Sequence, residues 1–323
     1  MRRSSPITKT TGPNTHRSEP RIAAGSVRTT RRWTSCLSPR TTVANLLAVA
    51  AHLLSLDEDS PTARIEAEVL LRHALDIDRA RLYCRLDQEL LPGELERFVS
   101  LLDRRLVGEP VAYIIGHREF YGLDFLVDRR VLIPRPETES LVEAVLGWFG
   151  KSDARTTIAD VGTGSGAVAI SLATNLPHAR IIAVDSSFEA LEVAAMNVAL
   201  HGVEDRVSLV CGDLLEPVAG RLDVVVANLP YIPRSRLAAL PHDIRDFEPL
   251  SALDGGEDGL DPYRRLFAQA SQRYDLPELI LIEIDPDQRE AILELVHRHF
   301  PNARVSVLKD YAALDRVVSV DIV

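Results

Sequence analysis

From Glu137 onward the chain alternates short apolar runs with helical stretches, and this alternation limits the fold more than any other feature. The runs "TTIADVG", "ARIIAVD", "RVSLVCGD", "RLDVVVANLPY" and "PELILIEID" are rich in β-branched residues, and helical patterns start between them at Ala167 and Phe188. Strands alternating with helices form a parallel sheet covered on both faces, so the expected fold class is α/β with a doubly wound sheet. The last two runs, "ARVSVLKD" and "DRVVSVDIV", have no helix between them and are expected to pair antiparallel at the sheet edge.

Ahead of this region the pattern changes. Residues 41–108 read as a small helical domain, with Ser60 as an N-cap, Pro61 in a first turn and Pro92 opening another helix. Residues 109–136, containing "PVAYIIGHREFYGLDFLVDRRVLIP", read as a hairpin joining it to a catalytic domain over 137–323. Residues 1–40 hold nine Lys or Arg, four prolines and one acid, Glu19. They read as a disordered tail, with the composition of a transit peptide or of an extended start.

Beyond that tail the net charge is −18. Nucleic-acid binders draw most of their affinity from Lys and Arg, so an acidic body favours a basic protein or a small molecule, and no stable nucleic-acid binding is expected. Cys36, Cys84 and Cys211 form no C-x-x-C pair, which suggests neither a disulfide framework nor a metal site and fits a reducing compartment. The longest apolar stretch, from Val43, is too short to cross a bilayer, so no membrane partner is expected.

"DVGTGSGAVAISLA" places Gly162, Thr163, Gly164, Ser165 and Gly166 in a turn between a strand and a helix. Glycines let backbone approach a ligand closely at a helix N-terminus. The spacing G-x-G-x-G differs from the dinucleotide fingerprint G-x-G-x-x-G and argues against NAD. S-adenosylmethionine needs no pyrophosphate cradle; it needs an acid for its ribose and a partner for its adenine. Asp185 closes the next strand where a ribose acceptor belongs, and Asp213 with Leu214 closes the third. The plain alternative is a packing turn with both acids as helix caps.

"VVVANLPYIP" ends a buried strand in Asn228, beside the expected cofactor. The Asn228 side-chain carbonyl and the Leu229 backbone carbonyl can accept both hydrogens of a planar NH2 group and aim its nitrogen at a methyl donor. Pro230 stiffens the loop and Tyr231 offers a ring face for stacking. An amide nitrogen is a poor nucleophile, so catalysis here would rest on positioning and electrostatics. The plain alternative is an ordinary Asn-x-Pro turn. His117, His178, His297 and His299 lack spaced partners and read as surface or loop residues. Glu139 reads as a carboxylate favouring a helix N-terminus.

With these residues in place, residues 42–323 resemble the release-factor glutamine methyltransferases of the PrmC or HemK type. The likeness rests on "FYG", "IPRPETE", "DVGTGSGAVAISLA", "ANLPYIP", "FEPLSALDGGEDGLDPYRRL" and "KDYAALDRVV". It implies a Rossmann-like class I methyltransferase fold, S-adenosyl-L-methionine as cofactor, and methylation of the amide nitrogen of the glutamine in the Gly-Gly-Gln loop of a peptide chain release factor. By the same resemblance, Gly162–Gly166 and Asp185 would hold the cofactor, and Asn228, Leu229, Pro230 and Tyr231 the glutamine amide. Phe120 and Arg135, Pro136 and Glu137 would line the site, and the helical domain would help recognise the substrate. A cytoplasmic monomer is expected, or an organellar one if the tail is a transit peptide.

Leu229 departs from the family's Asn-Pro-Pro-Tyr, keeping the carbonyl but losing the fixed φ of proline. Leu214 stands where some members stack an aromatic on adenine. "NLPY" also occurs in adenine-N6 methyltransferases of RNA, so methylation of nucleic acid, or of a glutamine in another protein, is the alternative. A non-catalytic adaptor would keep the fold without binding the cofactor.

Overall fold

The computed structural model describes residues 41–56, 62–150 and 155–322. The expected tail and the expected helix start at Ser60 and Pro61 lie outside the described residues. The amino-terminal unit contains α1 (Val43–Ser55), α2 (Ala63–Leu75), α3 (Arg79–Cys84), α4 (Pro92–Leu106) and α5 (Val111–Ile115). Local chemistry sets its helix starts: Thr42 and Asp78 accept the N–H groups of Asn45 and Arg81, and Pro92 occupies the first turn of α4. Leu46, Leu70, Leu71, Leu82, Phe98 and Leu102 then close a core of their own.

Helix α5 corrects the reading of residues 110–134 as a hairpin throughout. Val111, Ile114 and Ile115 pack on the helical core, a spacing that shares one face of a helix and would be split across a strand. Gly116, at φ 83°, ends the turn. Arg104 ties it down, donating to both carboxylate oxygens of Glu109 at 2.8 Å and to the carbonyls of Tyr113 and Ile114 at 3.3 Å. The hairpin itself is shorter: β1 (His117–Phe120) pairs with β2 (Leu123–Leu126) across a turn at Tyr121 and Gly122.

A 3-10 turn at Pro136–Thr138 leads into α6 (Glu139–Phe149), then β3 (Thr156–Val161), α7 (Ala167–Asn175), β4 (Ala179–Asp185), α8 (Phe188–His201), β5 (Val207–Cys211) and β6 (Val224–Ala227). There follow α9 (His242–Phe247), α10 (Asp261–Ser271), β7 (Leu279–Glu283), α11 (Arg289–His299), β8 (Arg304–Lys309) and β9 (Asp315–Asp321). The strands form one seven-stranded sheet in the order β5-β4-β3-β6-β7-β9-β8. The first five are parallel; β9 runs antiparallel between β7 and β8, so β8 alone of the final pair is the edge.

One face of the sheet packs on α6 and α7 with Phe120 and Phe125 of the hairpin; the other packs on α10 and α11 through Tyr263, Phe267, Ile292 and Val296. Strand order reverses between β3 and β6, which opens a crevice at their carboxyl ends, where open α/β sheets bind ligands.

Asn197, fully buried on α8, locks the hairpin to the glycine turn. Its amide donates to the carbonyls of Leu126 at 3.0 Å and Ser165 at 2.8 Å, and its oxygen accepts the N–H of Leu126 at 2.7 Å. Asn197→Ala would leave three backbone groups without partners. We expect it to lower unfolding free energy by about 2 kcal/mol, measured by urea denaturation, and a loss below about 0.5 kcal/mol would show that water replaces the amide.

Candidate active site

The carboxyl ends of β3, β4, β5 and β6 surround a cavity of about 250 Å3. Its wall includes Gly162 and Gly164, Asp185, Asp213 and Leu214, and Asn228, Leu229 and Pro230. At Gly162, φ is +76° and an added Cβ would stand 2.9 Å from the Leu229 side chain, so the turn and the Asn-Leu-Pro-Tyr loop fit together only without one. Leu229 is itself buried in the core at 3% exposure, filling this joint.

Asp185 receives the N–H of Gly164 on one oxygen and that of Ser187 on the other, both at 2.9 Å. The carboxylate keeps a further lone pair for an external hydroxyl. Burial raises the carboxyl pKa, and hydrogen bonds from the Ser187, Gly164 and Ser186 backbone oppose that rise. Across the cavity Asp213 is paired with Arg265, another wall residue, while Leu214 adopts φ 52°. Leu214 makes the wall aliphatic beside that ion pair.

Asp160, the acid ahead of the glycine turn, acts inside it. Fully buried, it accepts the Thr163 hydroxyl at 2.7 Å and the Ala169 N–H at 3.1 Å. Burial pushes its pKa up to about 6 despite those bonds. Thr163 and Ser165 are buried within the turn, and Gly166 sits under Ile170 and Ala194; none of the three is on the cavity wall, unlike Gly162 and Gly164.

At the end of β6, Asn228 donates its side-chain NH2 to the Thr138 hydroxyl at 3.0 Å, which turns its carbonyl oxygen the other way. The loop beyond is clamped by "LDGGEDGL". An added Cβ on Gly259 would stand 2.2 Å from the Tyr231 carbonyl, and Gln288 donates to that carbonyl at 2.9 Å. The Tyr263 hydroxyl donates to the Glu283 carbonyl at 2.5 Å and lies 3.3 Å from the Leu229 carbonyl. Its one hydrogen goes to the nearer oxygen, so the Leu229 carbonyl keeps an acceptor position. Tyr231 is half-buried, its phenol pushed up to about 12 mainly by desolvation.

Phe120 sits apart from this wall. Only 1% exposed, its ring packs edge-on against Phe125 in the core and is not part of the cavity wall. An aromatic in a two-residue hairpin faces inward or outward by register, which the sequence leaves open. Arg135 also lies away from the cavity, 2.6 Å from the buried Glu248, whose carboxyl pKa is raised by burial in spite of that pairing. Pro136 and Glu137 are exposed beside it.

Arg135 instead faces a cleft of about 1350 Å3 between the helical unit and the catalytic domain. The cleft carries Arg72, Arg97, Arg105 and Arg118 together with Glu66, Asp76, Asp124 and Asp243. Its charge is mixed, so the acid excess of the body is not concentrated there.

Sequence reasoning missed Thr138, Glu248, Glu283, the 255–259 clamp and the wall formed by Arg130, Val131 and Leu132. Thr138 and Glu248 lie inside motifs already singled out, "IPRPETE" and "FEPLSAL", and "LDGGEDGL" carried a glycine signal of its own. Glu283 had one signal: a carboxylate ending an apolar strand.

The cavity suits S-adenosylmethionine: close backbone at Gly162 and Gly164, an acid with a free lone pair, and an aliphatic wall at Leu214. Among the described residues no cluster of His, Cys, Asp and Glu could hold a metal ion. The family model of the PrmC N-terminal domain matches residues 45–116, and that of the methyltransferase small domain matches residues 141–239. The release factor glutamine methyltransferase of Moorella thermoacetica is 48% identical over 254 residues, covering 78% of this chain and 89% of that one. That of Geobacter sulfurreducens is 42% identical over 237 residues, covering 73% and 82%. The human Mettl16 catalytic domain, solved with an RNA hairpin, superimposes with a TM-score of 0.54 at 15% identity, covering 69% of this chain and 82% of that one, a likeness of fold alone. From the glycine turn, the Asn-Leu-Pro-Tyr loop and these relatives together, the chain is a member of the release factor glutamine methyltransferase family, and an S-adenosylmethionine-dependent methyltransferase.

Proposed function

We propose that this enzyme methylates the side-chain amide nitrogen of the glutamine in the Gly-Gly-Gln loop of a peptide chain release factor. The observation that carries this is the pair of acceptors at the end of β6: the Asn228 oxygen, turned away from Thr138, and the adjacent Leu229 carbonyl. S-adenosylmethionine, when bound, supplies an electrophilic sulfonium methyl. The chain's own residues do the rest by placement. Asn228 and Leu229 would each accept one hydrogen of the glutamine NH2, which weakens conjugation of its lone pair and holds the nitrogen in line. With the cofactor bound, the nitrogen lone pair would take the methyl as the methyl–sulfur bond breaks and leaves its electron pair on sulfur. One of those hydrogens would leave as a proton to solvent water. The mixed-charge cleft beside Arg135 offers a protein substrate a docking surface between the helical unit and the sheet, and one monomer suffices for this arrangement.

The test is transfer from labelled S-adenosylmethionine to a bacterial-type release factor, to its Gln→Ala loop variant, and to ribosomal RNA. Label on the intact release factor alone is expected. Label on RNA alone would mean that the two acceptors hold an adenine amine.

A further inference from the structure

Resting on that reading, we propose that Glu283, acting through the Thr138 hydroxyl, is a positioning residue that sets which end of the Asn228 amide faces the substrate. Glu283 ends β7, beside β6 in the sheet, and is 1% exposed. Its carboxyl faces the Thr138 side chain, and one of its oxygens, Oε2, is buried with no hydrogen-bond partner. Thr138 in turn receives the Asn228 amide at 3.0 Å.

A hydroxyl has one hydrogen to give. A carboxylate can only accept, so that hydrogen points at Glu283 and the hydroxyl shows Asn228 a lone pair. Asn228 must then point its NH2 at Thr138 and its oxygen away. If Glu283 were able to donate, the hydroxyl would reverse and give its hydrogen to the Asn228 oxygen. The amide would flip, and its NH2 would meet the NH2 of the substrate, donor against donor. Charge on Glu283 therefore selects the acceptor end of Asn228.

This makes the orientation sensitive to pH. Burial pushes the Glu283 carboxyl up to about 7, the bond from Thr138 and the charges of Arg316 and Arg135 opposing the rise and Glu137 adding to it. Tyr231 and Tyr263 also face it, both uncharged in this range because burial raises their phenols, and Asp310 neutralises part of Arg316. Asp285 lies nearby on the same segment as Glu283. With falling pH, protonation of Glu283 releases the hydroxyl, and turnover falls on the acid side.

The experiment compares wild type with Glu283→Gln, Thr138→Val and Thr138→Ser in methylation of the release factor between pH 6 and 8.5. A glutamine can donate as well as accept, and a valine carries no relay. Both are expected to lower kcat by roughly 10-fold or more, as loss of a preorganised polar group does, with the S-adenosylmethionine Kd unchanged by calorimetry. Thr138→Ser should restore most of the turnover, and the acid limb of wild-type kcat near pH 7 should be absent from Glu283→Gln. Full kcat in Glu283→Gln, or loss of cofactor binding in step with kcat, would overturn the proposal. A readout without substrate separates it from the reading it rests on: the Asn228 side-chain amide resonances of the cofactor-loaded protein should shift with an apparent pKa near 7 in wild type and not in Glu283→Gln. Resonances that do not titrate in wild type would also overturn it, whatever the substrate proves to be.

Discussion

Asn228→Ala is expected to reduce methyl transfer by about 10³-fold, to near background, while the S-adenosylmethionine Kd stays within a few-fold of wild type. The alanine removes the one side-chain acceptor at the end of β6, and the Leu229 carbonyl alone cannot hold both hydrogens of an amide. It leaves the glycine turn, Asp185 and Leu214 in place. Asn228→Asp sharpens the test. An aspartate keeps acceptor oxygens but sets a second carboxylate against Thr138, whose single hydrogen it would have to share with Glu283. It should therefore fail nearly as completely. Single-turnover rates and calorimetry read the two quantities separately, and turnover retained in Asn228→Ala would sink the two-acceptor clamp.

Asp185→Ala acts on the other half of the reaction. The carboxylate holds the N–H groups of Gly164 and Ser187 and leaves a lone pair toward the cavity. Its removal deletes charge-assisted bonds to a ribose and frees the backbone that shapes the turn. We expect a cost of about 3 kcal/mol, a Kd raised ~10²-fold by calorimetry, with kcat at saturating cofactor changed much less. Asp185→Asn, which can still accept on one oxygen, should lie between. A Kd unchanged in Asp185→Ala would remove this residue from the cofactor site.

Much of this architecture was legible because it is periodic or local. The starts of α7 at Ala167 and α8 at Phe188, the ends of β4 at Asp185 and of β6 before Asn228, and the pairing of β8 with β9 all follow from residues within a few positions of one another. Val111–Ile115 was misread for the converse reason. Its β-branched residues favour a strand locally, and only contact with the helical core, out of reach of the local pattern, selects a helix. The relay from Asn228 to Glu283 was illegible in the same sense, since its three members sit on three segments that meet only when β6 and β7 are paired and the Pro136–Thr138 turn lies across them. Phe120 shows a further limit: a motif can name a residue without saying which way its side chain faces.

The place of β9 bears on the order in which the molecule assembles. The helical unit closes its core from segments that neighbour one another along the chain, so its contacts form with little loop to close. The sheet cannot do this. β3 must wait for β6, beyond two intervening strand–helix units, and β7 remains an open edge until β9 inserts between it and β8. Glu283 and Asn228 stand at the ends of those two late-paired strands. The helical unit can thus be native while the catalytic centre does not yet exist, and a lesion in β9, touching no substrate, would mainly speed the loss of that centre by unfolding and leave the rate of its formation little changed.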